Sequence, residues 1–141
     1  MNDKNNVLRP LLNTIEVRSN LDSHISSQLL MQLSDCSRNG RIKVFYSPVS
    51  VAIGYISWNT VNKESLRQLI NFKQIPLYTY EWNEGHFKVI HDIAVLPLWR
   101  KHCWPLFRRF FKKQRFIIFL RRDRLNIWYR HHGKYKRILF N

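Results

Sequence analysis

Apolar residues recur at helical spacing in four segments of the chain. Two of these segments are VLRPLLNTIEVRSNL and SHISSQLLMQLSDCS. In the first, Pro10 suits an opening helical turn, and in the second, Ser23 is a candidate N-cap. The apolar positions of the second segment are Ile25, Leu29, Leu30 and Leu33. The other segments are NKESLRQLINFKQ at 62–74 and the basic WRKHCWPLFRRFFKKQ at 99–114, which Pro105 would start or break. The pattern predicts four helices.

Alternating or continuously apolar runs between these helices predict strands. The turn signal NGR at 39–41 precedes IKVFYS and VSVAIGYISW, which we expect to form a hairpin with a bulge or a close backbone approach at Gly54. LYTYEW and HFKVIHDIAVLP follow, with NEG at 83–85 as their turn, and RFIIFLRR and LNIWYRHHGKYKRILF end the chain. The predicted order is ααββαββαββ. It indicates a single α+β domain over residues 1–141, with a mostly antiparallel central sheet flanked by helices.

Composition supports a folded protein. Hydrophobic residues make up 45% of the 141 positions and only four glycines and five prolines occur, which is not typical of a disordered chain. The longest apolar runs are shorter than the roughly 20 residues that span a bilayer, so we expect no stable membrane insertion. The first residues do not follow the pattern of a secretory signal. Together with only two cysteines, Cys36 and Cys103, this favours the cytoplasm.

Charge is concentrated in the last third of the chain. Residues 1–97 hold ten Lys and Arg against eight Asp and Glu, while residues 98–141 hold fourteen against the single Asp123, so the two parts carry +2 and +13. Such a surface attracts acidic macromolecules. Aromatic residues interleave with the cations, which keeps a nucleic-acid-binding module as an alternative function. Their spacing is that of core residues, however, and no nucleic-acid recognition motif is present, so we expect no nucleic-acid partner.

His24 is the first candidate for chemistry. It lies in NLDSHISSQLL, two residues after Asp22 and near a predicted helix start. A histidine has a pKa near neutral pH, and a neighbouring carboxylate can orient its ring, so His24 can serve as a general base. An exposed or capping histidine is the commoner outcome for such a position.

His91 and Asp92 form the second candidate site, inside the apolar run VIHDIAV. Strand alternation sends them to opposite faces, so we expect at most one of them to face a given pocket. A buried aspartate needs a partner because its desolvation is costly. Asp92 is therefore either a functional carboxylate or a structural one, bound to backbone or to an arginine of the last third. The remaining histidines show no metal-ligand spacing, and we predict no metal site.

Several short pieces, taken in order, resemble the toxin-activating acyltransferase family, whose members fatty-acylate lysines of RTX protein toxins. The pieces are SHISSQLL, YSPVSVAIGYISW, SLRQL, YEWNEGHFKVIHDIAV, LFRRFFKK and YRHHGKYK. The family shows a serine- and leucine-rich approach to a histidine and a P-V-A-Y-x-S-W strand. A D-W-x-S-G turn, an I-D-x-I-A-P-F-G strand and a terminal F-H-G-G-K turn follow in its members. The likeness extends over about residues 19–137.

The resemblance implies a cytoplasmic bacterial enzyme with a variant of the GNAT acyltransferase fold. It implies an acyl carrier protein as the acyl donor, no tightly bound cofactor, and catalytic residues at His24 and in the His91–Asp92 pair. His24 would then deprotonate the attacking amine or hydroxyl while Asp92 orients its ring. Backbone N–H groups near Gly54, at Ser57 and Trp58, would stabilise the oxyanion. An acidic carrier protein would be attracted by the basic last third.

Three departures from the family pattern point to an offshoot. A-P-F-G is here AVLP, His91 takes the family's aspartate position if Ala94 is aligned, and the chain is shorter and more basic than a typical member. Short, basic relatives act in siderophore-microcin maturation, where a larger partner subunit helps to attach a siderophore to the C-terminus of the microcin. The resemblance thus implies either lysine acylation or C-terminal siderophore attachment, by a homodimer or a hetero-complex. A non-catalytic scaffold subunit is the remaining alternative.

Overall fold

The computed structural model describes residues 3–21, 24–72, 85–121 and 124–138. Within these ranges the helices are α1 (Asp3–Asn20), α2 (Ser27–Arg38), α3 (Lys63–Phe72) and α4 (Arg100–Lys112), and a 3-10 turn at Pro97–Trp99 leads into α4. The strands are β1 (Ile42–Tyr46), β2 (Ala52–Val61), β3 (Phe87–Val95), β4 (Phe116–Arg121), β5 (Arg124–His131) and β6 (Lys134–Ile138). None of the helices in the described part of the chain has the length and hydropathy to cross a membrane.

The six strands form one mixed sheet in the order β1-β2-β3-β4-β5-β6. The pairs β1–β2, β4–β5 and β5–β6 are antiparallel and β3–β4 is parallel. The parallel pair follows from connectivity, because α4 carries the chain back between the two strands before β4 begins. The predicted α+β class with a mixed, mostly antiparallel sheet and flanking helices is confirmed.

The chain divides into two compact units, with β2, β3 and α4 contributing residues to both. The first comprises Met1–Ser57 with Asp92–Arg109, and the second comprises Trp58–His91 with Phe110–Asn141. The core of the first unit is built on Val17, Leu33, Ala52, Tyr55 and Ala94. The core of the second is built on Val61, Val89, Ile118 and Ile127.

The predicted hairpin of IKVFYS and VSVAIGYISW is confirmed as β1–β2, and Gly54 lies where the backbones come close. Its pairing contains an irregularity at Phe45 and Tyr46, which face Gly54 and Ala52. A Cβ atom at Gly54 would lie 2.8 Å from Val95 Cγ2 and 3.0 Å from the Ala94 carbonyl oxygen. Real Cβ atoms essentially never lie within 3.0 Å of another atom, so a side chain here would force Val95 or the neighbouring backbone to shift, and glycine allows the close packing of β2 on β3.

Four local predictions need correction. α1 begins at Asp3, so Pro10 lies inside the helix and not in its first turn, and its carbonyl accepts a hydrogen bond of 2.7 Å from Thr14 Oγ1. α2 is capped by Ser26, whose Oγ accepts from the Leu29 N–H, while Ser23 lies outside the described residues. α4 continues through Pro105 without a break. Burial of one face of each helix outweighs the backbone bond that its proline removes.

The fourth correction concerns the end of the chain. The run LNIWYRHHGKYKRILF was predicted to be one strand, but it is the hairpin β5–β6, which turns at His132 and Gly133. Both residues have positive φ, 49° and 75°, as a two-residue hairpin turn requires. The predicted strand LYTYEW and most of the NEG turn lie outside the described residues.

Candidate active site

A closed polar cluster lies in the first unit, formed by Arg18, Tyr55 and Asp92. Arg18 Nε donates a hydrogen bond of 2.7 Å to Tyr55 Oη, and Arg18 Nη2 donates to Asp92 Oδ1. Tyr55 Oη in turn donates to Asp92 Oδ2. Each of the three side chains therefore contacts both of the others, which restricts all three to one arrangement.

Each member of this cluster comes from a different element. Arg18 lies in the last turn of α1, Tyr55 in the middle of β2, and Asp92 in β3. Within this unit β2 and β3 run antiparallel. The Leu96 N–H donates to the Ile53 carbonyl, and four residues further along β2 the Ser57 Oγ lies 3.4 Å from the carbonyl oxygen of Asp92, which is four residues back along the chain from Leu96. This pairing brings Asp92 beside Tyr55 and Ser57.

Arg18 reaches the cluster because it lies on the inward face of α1. Thr14 and Val17 are fully buried, and Leu11 and Leu21 pack against the same core. Arg18 follows Thr14 by four residues, so it shares that face. A guanidinium on a buried helix face requires an anionic partner, and Asp92 provides it. The side chains of Arg18 and Asp92 retain 16% and 13% of their exposure, so the ion pair is largely shielded from water.

Two groups of the cluster, the Tyr55 phenol and the Arg18 guanidinium, have raised pKa values. Burial raises the pKa of Tyr55, and the negative charge of Asp92 raises it further, so the phenol stays protonated. Burial lowers the pKa of Arg18, but its hydrogen bonds to Asp92 and Tyr55 outweigh this effect, and the net change is upward. Asp92 thus accepts from two donors that do not deprotonate at neutral pH. A carboxylate can accept about four hydrogen bonds, so these two occupy about half of its capacity.

His24 lies in an extended segment of the first unit, between α1 and α2. It is exposed, and it precedes the cap residue Ser26 by two positions. Among the described residues, the partners of Asp92 are Arg18, Tyr55 and Ser57, and His24 is not one of them. The structure therefore brings Asp92 together with Arg18 and Tyr55 but does not bond it to His24. Because their positions in the chain differ by six, the Cα atoms of Arg18 and His24 lie within about 22 Å.

His91 belongs to the second unit and makes a different contact. Its Nε2 lies 2.9 Å from the side-chain nitrogen of Asn59, and the ring is half-buried. Sequence reasoning left open which of His91 and Asp92 takes part in a polar site with the N-terminal helices. Asp92 binds Arg18 of α1, and His91 contacts the side-chain amide of Asn59 on β2.

Two residues of the cluster, Arg18 and Tyr55, were not predicted from the sequence. The arginine expected for a structural Asp92 was one of the last third, but the partner is Arg18 near the N-terminus. Its position on the apolar stripe of α1 was the signal, since a charge there must be paired. Tyr55 lies in an apolar run that predicts a buried strand, and a buried phenol also needs a hydrogen-bond partner.

The expected oxyanion role of the β2 backbone gains no support from this geometry. β2 lies between β1 and β3 in the sheet, and Gly54 and Ser57 pair with Phe45 and Ile42 of β1. N–H groups of an interior strand point at the neighbouring strands, so they do not face a substrate. Ser57 is itself 1% exposed.

No group of three or more His, Cys, Asp or Glu suited to a metal ion occurs among the described residues. Both cysteines are free thiols and are buried. Burial also raises the pKa of the Cys103 thiol, which disfavours the reactive thiolate.

The chain matches no protein-family model, and neither the curated proteins nor the solved structures compared with it gave a match.

Proposed function

We propose that this chain is an acyltransferase with a GNAT-like fold that modifies a bacterial protein or peptide toxin in the cytoplasm after its synthesis. The chief support is the bonding of Asp92. This residue lies at the region where the resemblance puts the family's catalytic carboxylate, and its Oδ1 accepts a hydrogen bond from Arg18 of α1. An ionised carboxylate, fixed in orientation by Arg18 and Tyr55, is suited to orient an imidazole.

In this proposal His24 is the general base. Its exposure allows an incoming amine or hydroxyl to reach the ring, and His24 and Asp92 belong to the same compact unit. His24 takes the proton of the attacking group as that group forms a bond to the acyl carbon, and the leaving group departs from the same carbon. Arg18 partly neutralises Asp92, so the carboxylate contributes more to orientation than to stabilising a cationic imidazole.

Two substrate classes are consistent with this chemistry. In the first, an acyl carrier protein donates a fatty acyl chain to an internal lysine of an RTX-type toxin. In the second, the chain works with a larger subunit to attach a siderophore to the C-terminus of a microcin, whose carboxyl group must first be activated so that its carbon carries a leaving group. The basic last third would bind the acidic carrier protein in the first case and the partner or the anionic siderophore in the second.

The test is intact mass spectrometry of the toxin or microcin encoded beside this gene. The substrate is co-expressed with the wild-type chain, His24→Ala, Asp92→Asn or His86→Ala, together with any larger subunit from the same cluster. His86 is exposed and lies in the second unit, so His86→Ala is the matched control. We expect a fatty-acyl gain on lysine or a siderophore-sized gain at the C-terminus, retained in His86→Ala and lost in His24→Ala.

Thermal unfolding of the same variants separates chemistry from folding. His24→Ala should melt with the wild type because the side chain is exposed, so a loss of the mass gain in this variant reports catalysis. If the gain requires the chain but persists in His24→Ala, the chain is a scaffold and not the enzyme. If no mass gain depends on the chain, the proposal fails.

A further inference from the structure

The exposed face of the segment from Pro97 to Arg109 combines apolar and cationic side chains. It comprises Leu98, Lys101, Trp104, Arg108 and Arg109, and all five are exposed. Positions 98, 101, 104 and 108 are separated by three or four residues, so they lie along one side of the 3-10 turn and α4. We call these five residues the α4 outer face.

The opposite side of the same segment anchors it in the first unit. Cys103 is fully buried, and Phe107 packs edge-to-face on Phe45 with ring centroids 4.8 Å apart. The α4 outer face is therefore held on a fixed helix and its apolar residues are not turned toward the core. This arrangement differs from an ordinary amphipathic helix, whose outer side is uniformly polar.

Two side chains of this face expose far more apolar surface than folding requires. Leu98, at the 3-10 turn, is 96% exposed and Trp104 is 58% exposed. The guanidinium carbon of Arg108 lies 5.6 Å from the centroid of the Trp104 ring, so a cation rests against the aromatic surface. The face thus offers a tryptophan beside positive charge and a strongly exposed leucine.

The charge along this segment has one sign. Arg100, Lys101, Arg108 and Arg109 are exposed, and the sequence contains no Asp or Glu between Asp92 and Asp123. A surface that binds here must therefore be anionic, and it must also accept a protruding leucine. A nucleic acid satisfies the first condition through its phosphates, but it gives Leu98 no apolar environment.

We propose that the α4 outer face binds the surface of an anionic phospholipid membrane. Leu98 and Trp104 enter the boundary between headgroups and acyl chains, where tryptophan is favoured. Lys101, Arg108 and Arg109 contact the phosphates of the headgroups. Binding is peripheral and reversible, and it does not depend on the acyltransferase activity proposed above.

The test is co-sedimentation of the purified full chain with vesicles. One set contains phosphatidylcholine alone and the other an equimolar mixture of phosphatidylcholine and phosphatidylglycerol. We expect binding to the mixed vesicles only. Each cation at an anionic surface contributes about fivefold to the partition coefficient, so Lys101→Gln with Arg108→Gln should lower it roughly 25-fold. Leu98→Asn should lower it about tenfold or more.

Matched control variants test whether binding depends on the α4 outer face or only on the overall positive charge of the chain. Val49 is 76% exposed in the β1–β2 loop, and Val49→Asn should leave binding unchanged. Lys134→Gln with Lys136→Gln removes the same charge from β6 and should have an effect several times smaller than the α4 pair. All of these side chains are exposed, so we expect every variant to fold, and circular dichroism checks this.

Trp104 provides an independent signal. Its indole should move to a less polar environment on mixed vesicles, so the blue shift of the wild-type emission should shrink in Trp104→Phe. The proposal is overturned if phosphatidylcholine vesicles bind equally well or if Leu98→Asn binds like the wild type. It is also overturned if the β6 pair matters as much as the α4 pair, or if the chain binds duplex DNA or RNA but not the mixed vesicles.

Discussion

Tyr55 shows how a single side chain organises the polar site. Its ring is fully buried in the core of the first unit, while its hydroxyl accepts from Arg18 and donates to Asp92. The hydroxyl therefore links a cation and an anion that already contact each other. Neither of these charged groups would be well solvated at this position without its partners, so the phenol contributes to both of their environments.

Removal of this hydroxyl should destabilise the fold. In Tyr55→Phe the ring stays buried, but Arg18 Nε and Asp92 Oδ2 each lose a partner. We expect the free energy of unfolding to fall by about 1–3 kcal/mol, measured by urea denaturation at neutral pH. Tyr46→Phe is the control because Tyr46 is exposed and, within the described ranges, its hydroxyl accepts from Asn13 alone, and it should cost less than about 0.5 kcal/mol. Equal effects in the two variants would show that the cluster is not stabilising.

The same residue predicts a pH dependence. The pKa of Tyr55 is raised by burial and by Asp92, so the folded protein keeps a proton that the unfolded chain releases above about pH 10. The folded state then binds more protons, and the free energy of unfolding falls as the pH rises from about 10 toward the raised pKa. Below that range this contribution is constant.

Urea denaturation at about pH 9 and about pH 11 measures this decline. The decline should be smaller in Tyr55→Phe than in the wild type, because the group that releases the proton is absent. Lysines also titrate in this range, and the difference between the two proteins removes their common contribution. A decline of the same size in both proteins would contradict the assignment.

At the scale of elements, β2 determines where the site forms. It is buried along nearly its whole length, although Ser57, Asn59 and Thr60 are polar. A polar residue on such a strand needs a partner, and Ser57 and Asn59 find theirs on β3. Gly54 allows the two strands to approach closely enough for this pairing near Ala94 and Val95.

Gly54→Ala should disturb this approach. The added methyl group would meet Val95 Cγ2 and the Ala94 carbonyl, and we expect a loss of about 1–3 kcal/mol in the free energy of unfolding. Val95→Ala removes the closer contact, so the double variant should lose less than the two single variants together. A double-mutant cycle by urea denaturation tests this, with a coupling of at least about 0.5 kcal/mol expected. If the losses in unfolding free energy of the two single variants simply add, the strain does not arise from the contact between residue 54 and Val95.

At the scale of the whole molecule, like-charge repulsion is the dominant electrostatic feature. The chain carries 24 Lys and Arg against nine Asp and Glu, a net charge of +15. Among the described residues the ion pairs are Arg18–Asp92, Arg38–Asp35 and Arg67–Glu64, and only the first is shielded from water. Exposed pairs contribute little, so folding concentrates positive charge without much compensation.

Sodium chloride should therefore stabilise the protein. Screening weakens the repulsion in the compact state more than in the expanded chain, so the urea midpoint should rise between low and moderate ionic strength. Lys134→Glu with Lys136→Glu lowers the net charge from +15 to +11, since each reversal removes two charges. This variant should respond less to salt than the wild type. A midpoint that falls with salt would show that the attractive pairs dominate.

Local signals sufficed for most of the secondary structure. The four helices follow from apolar spacing, and the β1–β2 hairpin from its alternating runs, because helix and strand each impose a repeat on the positions that face a core. The errors at Pro10 and Pro105 arose where local preference conflicted with tertiary packing, whereas the β5–β6 turn was missed although Gly133 is a local turn signal. A proline disfavours a helix interior, but the burial of one helix face exceeds that cost.

Local signals could not predict which residues contact Asp92. Arg18 and Tyr55 are 74 and 37 positions away, so their contacts depend on how α1 docks and on the register of β2 with β3. A shift of one residue in that register would turn the side chain of Asp92 to the other face of the sheet. The sequence alone could identify His24, His91 and Asp92 as candidates. The finding that Asp92 binds Arg18 of α1 required the folded structure, because register is set by packing along the whole strand.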